Sequence, residues 1–81
     1  MNLEELKAGQ RAKIINIEAQ GFVKKRLLFL GFRIDKEITM IKSAPFKDPL
    51  EVSLGNSNLS IRRSEAALIE IKVLSEKTDE S

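Results

Sequence analysis

Leu50-Glu51-Val52-Ser53-Leu54-Gly55-Asn56-Ser57-Asn58-Leu59-Ser60-Ile61 is the stretch on which the fold turns. Leu50, Val52 and Leu54 alternate strictly with Glu51 and Ser53, the period-2 pattern of a strand with one face buried. Gly55-Asn56-Ser57 supplies a turn, and Leu59 and Ile61 alternate with Ser60 on the return. The whole is a β-hairpin. Upstream lies Ala44-Pro45-Phe46-Lys47-Asp48-Pro49, a loop holding both prolines of the chain. Proline cannot donate to a ladder, so this loop belongs at an edge or outside the sheet, with Asp48 expected to close the turn through its own side chain. Before the loop, Glu37 to Ser43 reads as a strand with Ile38 and Met40 on one face and Thr39 and Ile41 on the other. Downstream, Ser64-Glu65-Ala66-Ala67 reads as one helical turn capped by Ser64. Ile69 to Val73 then alternates as a last strand.

The N-terminal half adds a strand and a helix. Asn2 to Leu6 reads as a short helical turn with Asn2 as its cap and Leu3 and Leu6 on one side. Gly9 makes a turn into a strand over Arg11 to Glu18. In that strand the phase slips: Ala12 and Ile14 share one face, Ile15 and Ile17 the other, which predicts a bulge or strong bend. Gly21 breaks the chain before a two-turn helix in which Val23, Leu27 and Leu30 fall on one side, and Gly31 stops it. So short a helix must dock on something to persist. Five short strands in 81 residues must curl upon themselves, because a flat sheet of that size leaves its edges bare. The expected architecture is all-β with a short helix, a small five-stranded barrel of either SH3-like or OB type. One domain over residues 1–74 is expected, followed by a disordered acidic tail at 75–81.

Composition narrows the function. The chain has no Cys, His, Trp or Tyr. Disulfides, a Cys/His zinc site and an imidazole-activated nucleophile are therefore excluded. No cofactor is expected, and a binding module is favoured over an enzyme. The formal charge is +2, from 14 Lys+Arg against 12 Asp+Glu. Three of those acids and one base lie in the last seven residues, leaving 13 bases against nine acids before them, a net of +4. That charge steers acidic partners without requiring nucleic acid. No apolar run is long enough to span a bilayer, and Met1 to Glu5 lacks the basic start of a signal peptide. The expectation is a soluble cytoplasmic protein without membrane insertion.

Four blocks of this sequence together resemble the FeoA family, the small cytoplasmic partner of the bacterial ferrous-iron transporter. They are Leu3 to Ile14, Arg26-Leu27-Leu28-Phe29-Leu30-Gly31-Phe32, Ala44 to Val52, and Leu59-Ser60-Ile61-Arg62-Arg63-Ser64-Glu65-Ala66, in the family's order and covering roughly residues 3–73. The resemblance implies an SH3-like barrel acting beside FeoB, the membrane transporter with a cytoplasmic G domain. It also implies likeness to the last domain of metal-dependent repressors, here without a helix-turn-helix. The family usually carries Gly where Asp35 or Lys36 stands, and Asp tolerates the left-handed conformation such a turn needs. The family's association with metal finds no ligand spacing here; Asp48, Glu51 and Glu65 are the carboxylates that folding could gather.

The candidate partner surface comprises Lys24, Lys25, Leu28, Phe29, Arg33 and Phe46. Leu28 lies roughly 140° and Phe29 roughly 240° around the helix from Val23, away from the inward stripe. A helix apolar nearly all round is buried on more than one side. The second side is either a loop of the same chain or a partner, and a partner is either the cytoplasmic part of FeoB or another copy. Lys24 and Lys25 form a solvated, steering face. Arg26 sits near the inward stripe and suits an internal ion pair or a carbonyl contact. Phe46 either anchors its loop in the core or meets a partner. A barrel that binds single-stranded nucleic acid is the rival reading, but no expected strand carries an aromatic on which a base could stack.

Overall fold

The computed structural model describes residues 1–43, 46 and 48–75. A 3-10 turn at Leu3–Glu5 leads into β1 (Arg11–Ile17), α1 (Gly21–Leu30), β2 (Glu37–Lys42), β3 (Leu50–Leu54), β4 (Ser57–Ile61), α2 (Arg63–Ala66) and β5 (Ile69–Ser75). The five strands form one antiparallel sheet in the order β4-β3-β2-β1-β5. Strands β2 to β4 make a meander, and β1 joins its first strand to β5. This is the SH3-like arrangement, not the OB one. The alternation expected of β3 is realised: Leu50, Val52 and Leu54 are buried and Glu51 and Ser53 only partly so. The hairpin pairs Leu54 with Ser57 across a two-residue Gly55-Asn56 turn.

The bend expected in β1 is present. Against β5, Ile14 pairs with Ile71 and Asn16 with Glu70, so Ile15 is skipped. Two further irregularities were not visible in the sequence. Ile41 is skipped between Met40 and Lys42 of β2, and Leu74 between Val73 and Ser75 of β5. Each skipped residue is apolar and exposed. A bulge bends its strand and increases twist; three of them let five strands wrap one core. That core contains Leu3, Leu6, Ile14, Leu27, Phe32, Ile38, Met40, Val52, Ile61, Ile69 and Ile71. The skipped side chains are the local cost of curvature.

Helix α1 starts at Gly21 itself, which adopts φ +59, so the glycine opens the helix and does not precede it. Its end follows expectation. Gly31 is left-handed at φ +109, its N–H donates to the Leu28 carbonyl, and the Phe32 N–H donates to the Leu27 carbonyl. Asp35 takes φ +74, the left-handed turn expected of it. Its N–H donates to the Ile14 carbonyl at 2.7 Å, tying the helix exit to β1.

Of the two caps expected, one holds its position and one differs. At the first turn the Asn2 N–H donates to Glu5 Oε1 at 2.8 Å, while Asn2 Oδ1 is buried without a partner. Asn2 thus holds the cap position, as expected, and Glu5 reaches back to its N–H. At α2, Ser64 lies inside the helix and Arg62 holds the cap position. The Arg63 N–H donates to Asp48 Oδ1 at 3.0 Å, so the free donor at the helix start is satisfied from the proline loop. Asp48 therefore serves α2. β5 extends through Ser75; the rest of the expected acidic tail, residues 76–81, lies outside the described residues.

Candidate functional site

Helix α1 places the sequence-derived candidates. Leu27 is fully buried, and Val23 and Leu30 pack partly buried against the core, as the stripe required. Leu28 is half-buried at the flank. Phe29 is 90% exposed and Phe22 is 84% exposed. Lys24 and Lys25 stand exposed between them. A large aromatic side chain left almost wholly in water forgoes the stabilisation that burial supplies, which for Phe is about 1.5–3 kcal/mol. Two of them on a ten-residue helix form the apolar surface outside the core that invites covering.

The remaining candidates divide. The guanidinium of Arg33 donates to the carbonyls of Leu28 and Phe32. It gives the Leu28 carbonyl a second donor beside the Gly31 N–H and joins the helix exit at Phe32 while staying at the surface. Phe46 is fully exposed with φ +63, so it does not anchor its loop in the core. Its placement leaves the partner reading of that residue standing. Arg26 makes the internal ion pair expected of it: Nη1 lies 2.6 Å from Glu65 Oε2. Glu65 is the buried charged residue of the core region, and its Oε1 also accepts from the Arg62 N–H at 3.1 Å. The pair clamps α1 to α2. A second, longer contact joins Arg63 to Glu4 at 3.7 Å.

Phe22 escaped the sequence reading because Gly21 was taken as a break before the helix. The signal was there in the spacing: Phe22 and Phe29 are seven apart, which on an α-helix is two turns less about 20°. Starting the helix two residues earlier would have put both rings on one line.

Other surfaces offer less. One hollow is lined by Asn2, Glu5, Glu18 and Glu70 together with Met1, Ala67 and Leu68. Glu5 is engaged with the Asn2 N–H there, and Glu18 accepts from Asn16 Nδ2 at 3.3 Å. Among the described residues no group of three or more Asp or Glu is arranged to hold a metal ion, so Asp48, Glu51 and Glu65 are not gathered. The exposed phenylalanines lie on α1 and the proline loop, not on strands, so a base-stacking sheet face is not formed. Among the described residues no helix is long and apolar enough to cross a membrane.

Comparison with known proteins gives a consistent picture. The FeoA domain family model matches residues 1–73. A fusion of Fe(2+) transport protein A with Fe(2+) transporter FeoB from Porphyromonas gingivalis is 38% identical over 81 residues, covering all of this chain and 10% of its own length. The chain thus spans about a tenth of that relative. A protein described as Fe(2+) transport protein A from Campylobacter jejuni is 38% identical over 74 residues, covering 91% of this chain and 100% of its own. Among solved structures, FeoA of Stenotrophomonas maltophilia in complex with zinc superposes with a TM-score of 0.73 at 29% identity, covering 89% of each chain. It is described as a prokaryotic SH3 domain protein and a candidate activating factor for ferrous iron transport.

Proposed function

The chain belongs to the FeoA family, and from that premise we propose that it is a cytoplasmic accessory protein of ferrous iron uptake that binds the cytoplasmic part of FeoB. The observation that carries this reading is the Porphyromonas relative, in which a domain similar to this whole chain is joined covalently to the transporter. Fusing two proteins raises the effective concentration of one at the other, which profits a pair that works in contact.

The structure supports contact as the mode of action. The candidate residues Lys24, Lys25, Leu28, Phe29, Arg33 and Phe46 lie at or near the surface. Residues 19–34 contain four cations and no carboxylate, so encounter with an acidic surface is accelerated over that segment. The chain contributes binding and no chemistry of its own; regulation passes to the transporter through the complex. The test is ferrous iron uptake in cells lacking only this chain, with FeoB intact. Uptake is expected to fall and to return when the chain is supplied on a plasmid. Undiminished uptake in its absence rejects the reading.

A further inference from the structure

Phe22 and Phe29 project from the side of α1 opposite Leu27. From Phe22, Leu27 lies about 140° around the helix and Phe29 about 340°, and the exposures agree: Leu27 is buried, both rings are in water. The two rings are separated by about 10 Å along the axis. Neither bears a polar atom, so each can enter a dry pocket without leaving a donor or acceptor unmatched. Lys25, about 300° around from Phe22, borders this line, Lys24 at about 200° does not, and Arg26 is drawn back to Glu65.

Resting on the FeoB reading above, we infer that Phe22 and Phe29 are twin anchors which seat α1 in an apolar groove of the transporter's cytoplasmic part, a groove rimmed by carboxylates that face Lys25. This is helix-in-groove recognition, in which residues repeating along one helix face supply the affinity, and aromatic anchors at the centre of an interface dominate it. Charge decides against a second copy as occupant. A two-fold contact through this face brings the same patch against itself, setting Lys25 of one copy against Lys25 of the other with no acid between residues 19 and 34 to answer it.

The experiment is a titration of the full chain against its cognate FeoB in lipid nanodiscs, with empty nanodiscs of the same lipid as a second arm. Wild type is expected to bind only discs holding FeoB. Phe22→Ala and Phe29→Ala are each expected to weaken binding at least about tenfold, with melting temperatures unchanged because both rings are exposed. Lys25→Glu is expected to lower affinity at about 0.05 M salt and to lose that difference at about 0.5 M. Failure of the wild type to bind either disc rejects the FeoB reading itself. Wild-type binding that Phe22→Ala leaves intact overturns the anchor inference and spares that reading. Equal binding to empty discs makes the bilayer the occupant, and a dimer in sedimentation that either alanine variant abolishes makes it a second copy; both outcomes overturn the inference.

Discussion

Phe29 and Phe32 stand three residues apart and meet opposite environments. Phe32 is wholly enclosed by the sheet, while Phe29 is almost wholly in water. The left-handed Gly31 between them turns the chain away from the helix axis, and that turn sends one ring inward. The same division runs through α1: Leu27 is held by the core and Phe22 is not. Residue type alone therefore does not separate the structural aromatics of this domain from the displayed ones. Position relative to the Gly31 turn and to the Val23-Leu27-Leu30 stripe does.

Three substitutions press on that division, from inside outward. Phe32→Ala removes a fully buried ring and is expected to cost about 3–5 kcal/mol, a large part of the 5–15 kcal/mol typical of a whole domain. Urea unfolding followed by circular dichroism measures it; a loss below about 1 kcal/mol would mean the inner side is not packed as described. Glu65→Gln takes the counter-ion from Arg26 at the seam between α1 and α2. Glu65 is largely buried, but the Arg26 side chain is 42% exposed, so water offsets part of the loss. The expected cost is about 1–2 kcal/mol, read from the same unfolding curves, with amide exchange in α1 accelerated. Phe29→Ala is expected to change stability by no more than about 0.5 kcal/mol. A larger loss in the same assay would show that Phe29 is part of the packing and would dissolve the contrast with Phe32.

The sheet was legible in the sequence wherever burial on one face enforces period 2. β3 was read to the residue, because Leu50, Val52 and Leu54 all point into the core. The bulge at Ile15 was legible because the alternation slips there, from Ala12 and Ile14 on one face to Ile15 and Ile17 on the other. Those at Ile41 and Leu74 were hidden, since a single extra residue near a strand end leaves too little pattern on its far side. The capping of α2 was illegible for a different reason. Asp48 reaches Arg63 across 15 residues, and no local rule connects them, so Ser64 was the better local candidate and the wrong one. At the candidate site, Phe29 followed from helical periodicity and Phe22 did not, because a glycine at the helix start resembles a glycine before it. Arg33 could be placed at the surface but not at the Leu28 carbonyl, a contact that depends on how the chain leaves Gly31.

Helix α2 is only four residues long, yet its neighbourhood receives Asp48 from the proline loop on one side and Arg26 from α1 on the other. Asp48 at the entry to β3 and the helix bearing Phe29 are thereby referenced to a single short pin. A protein surface that grips one of them inherits a defined location for the other, so the second contact forms without a fresh search of chain conformations.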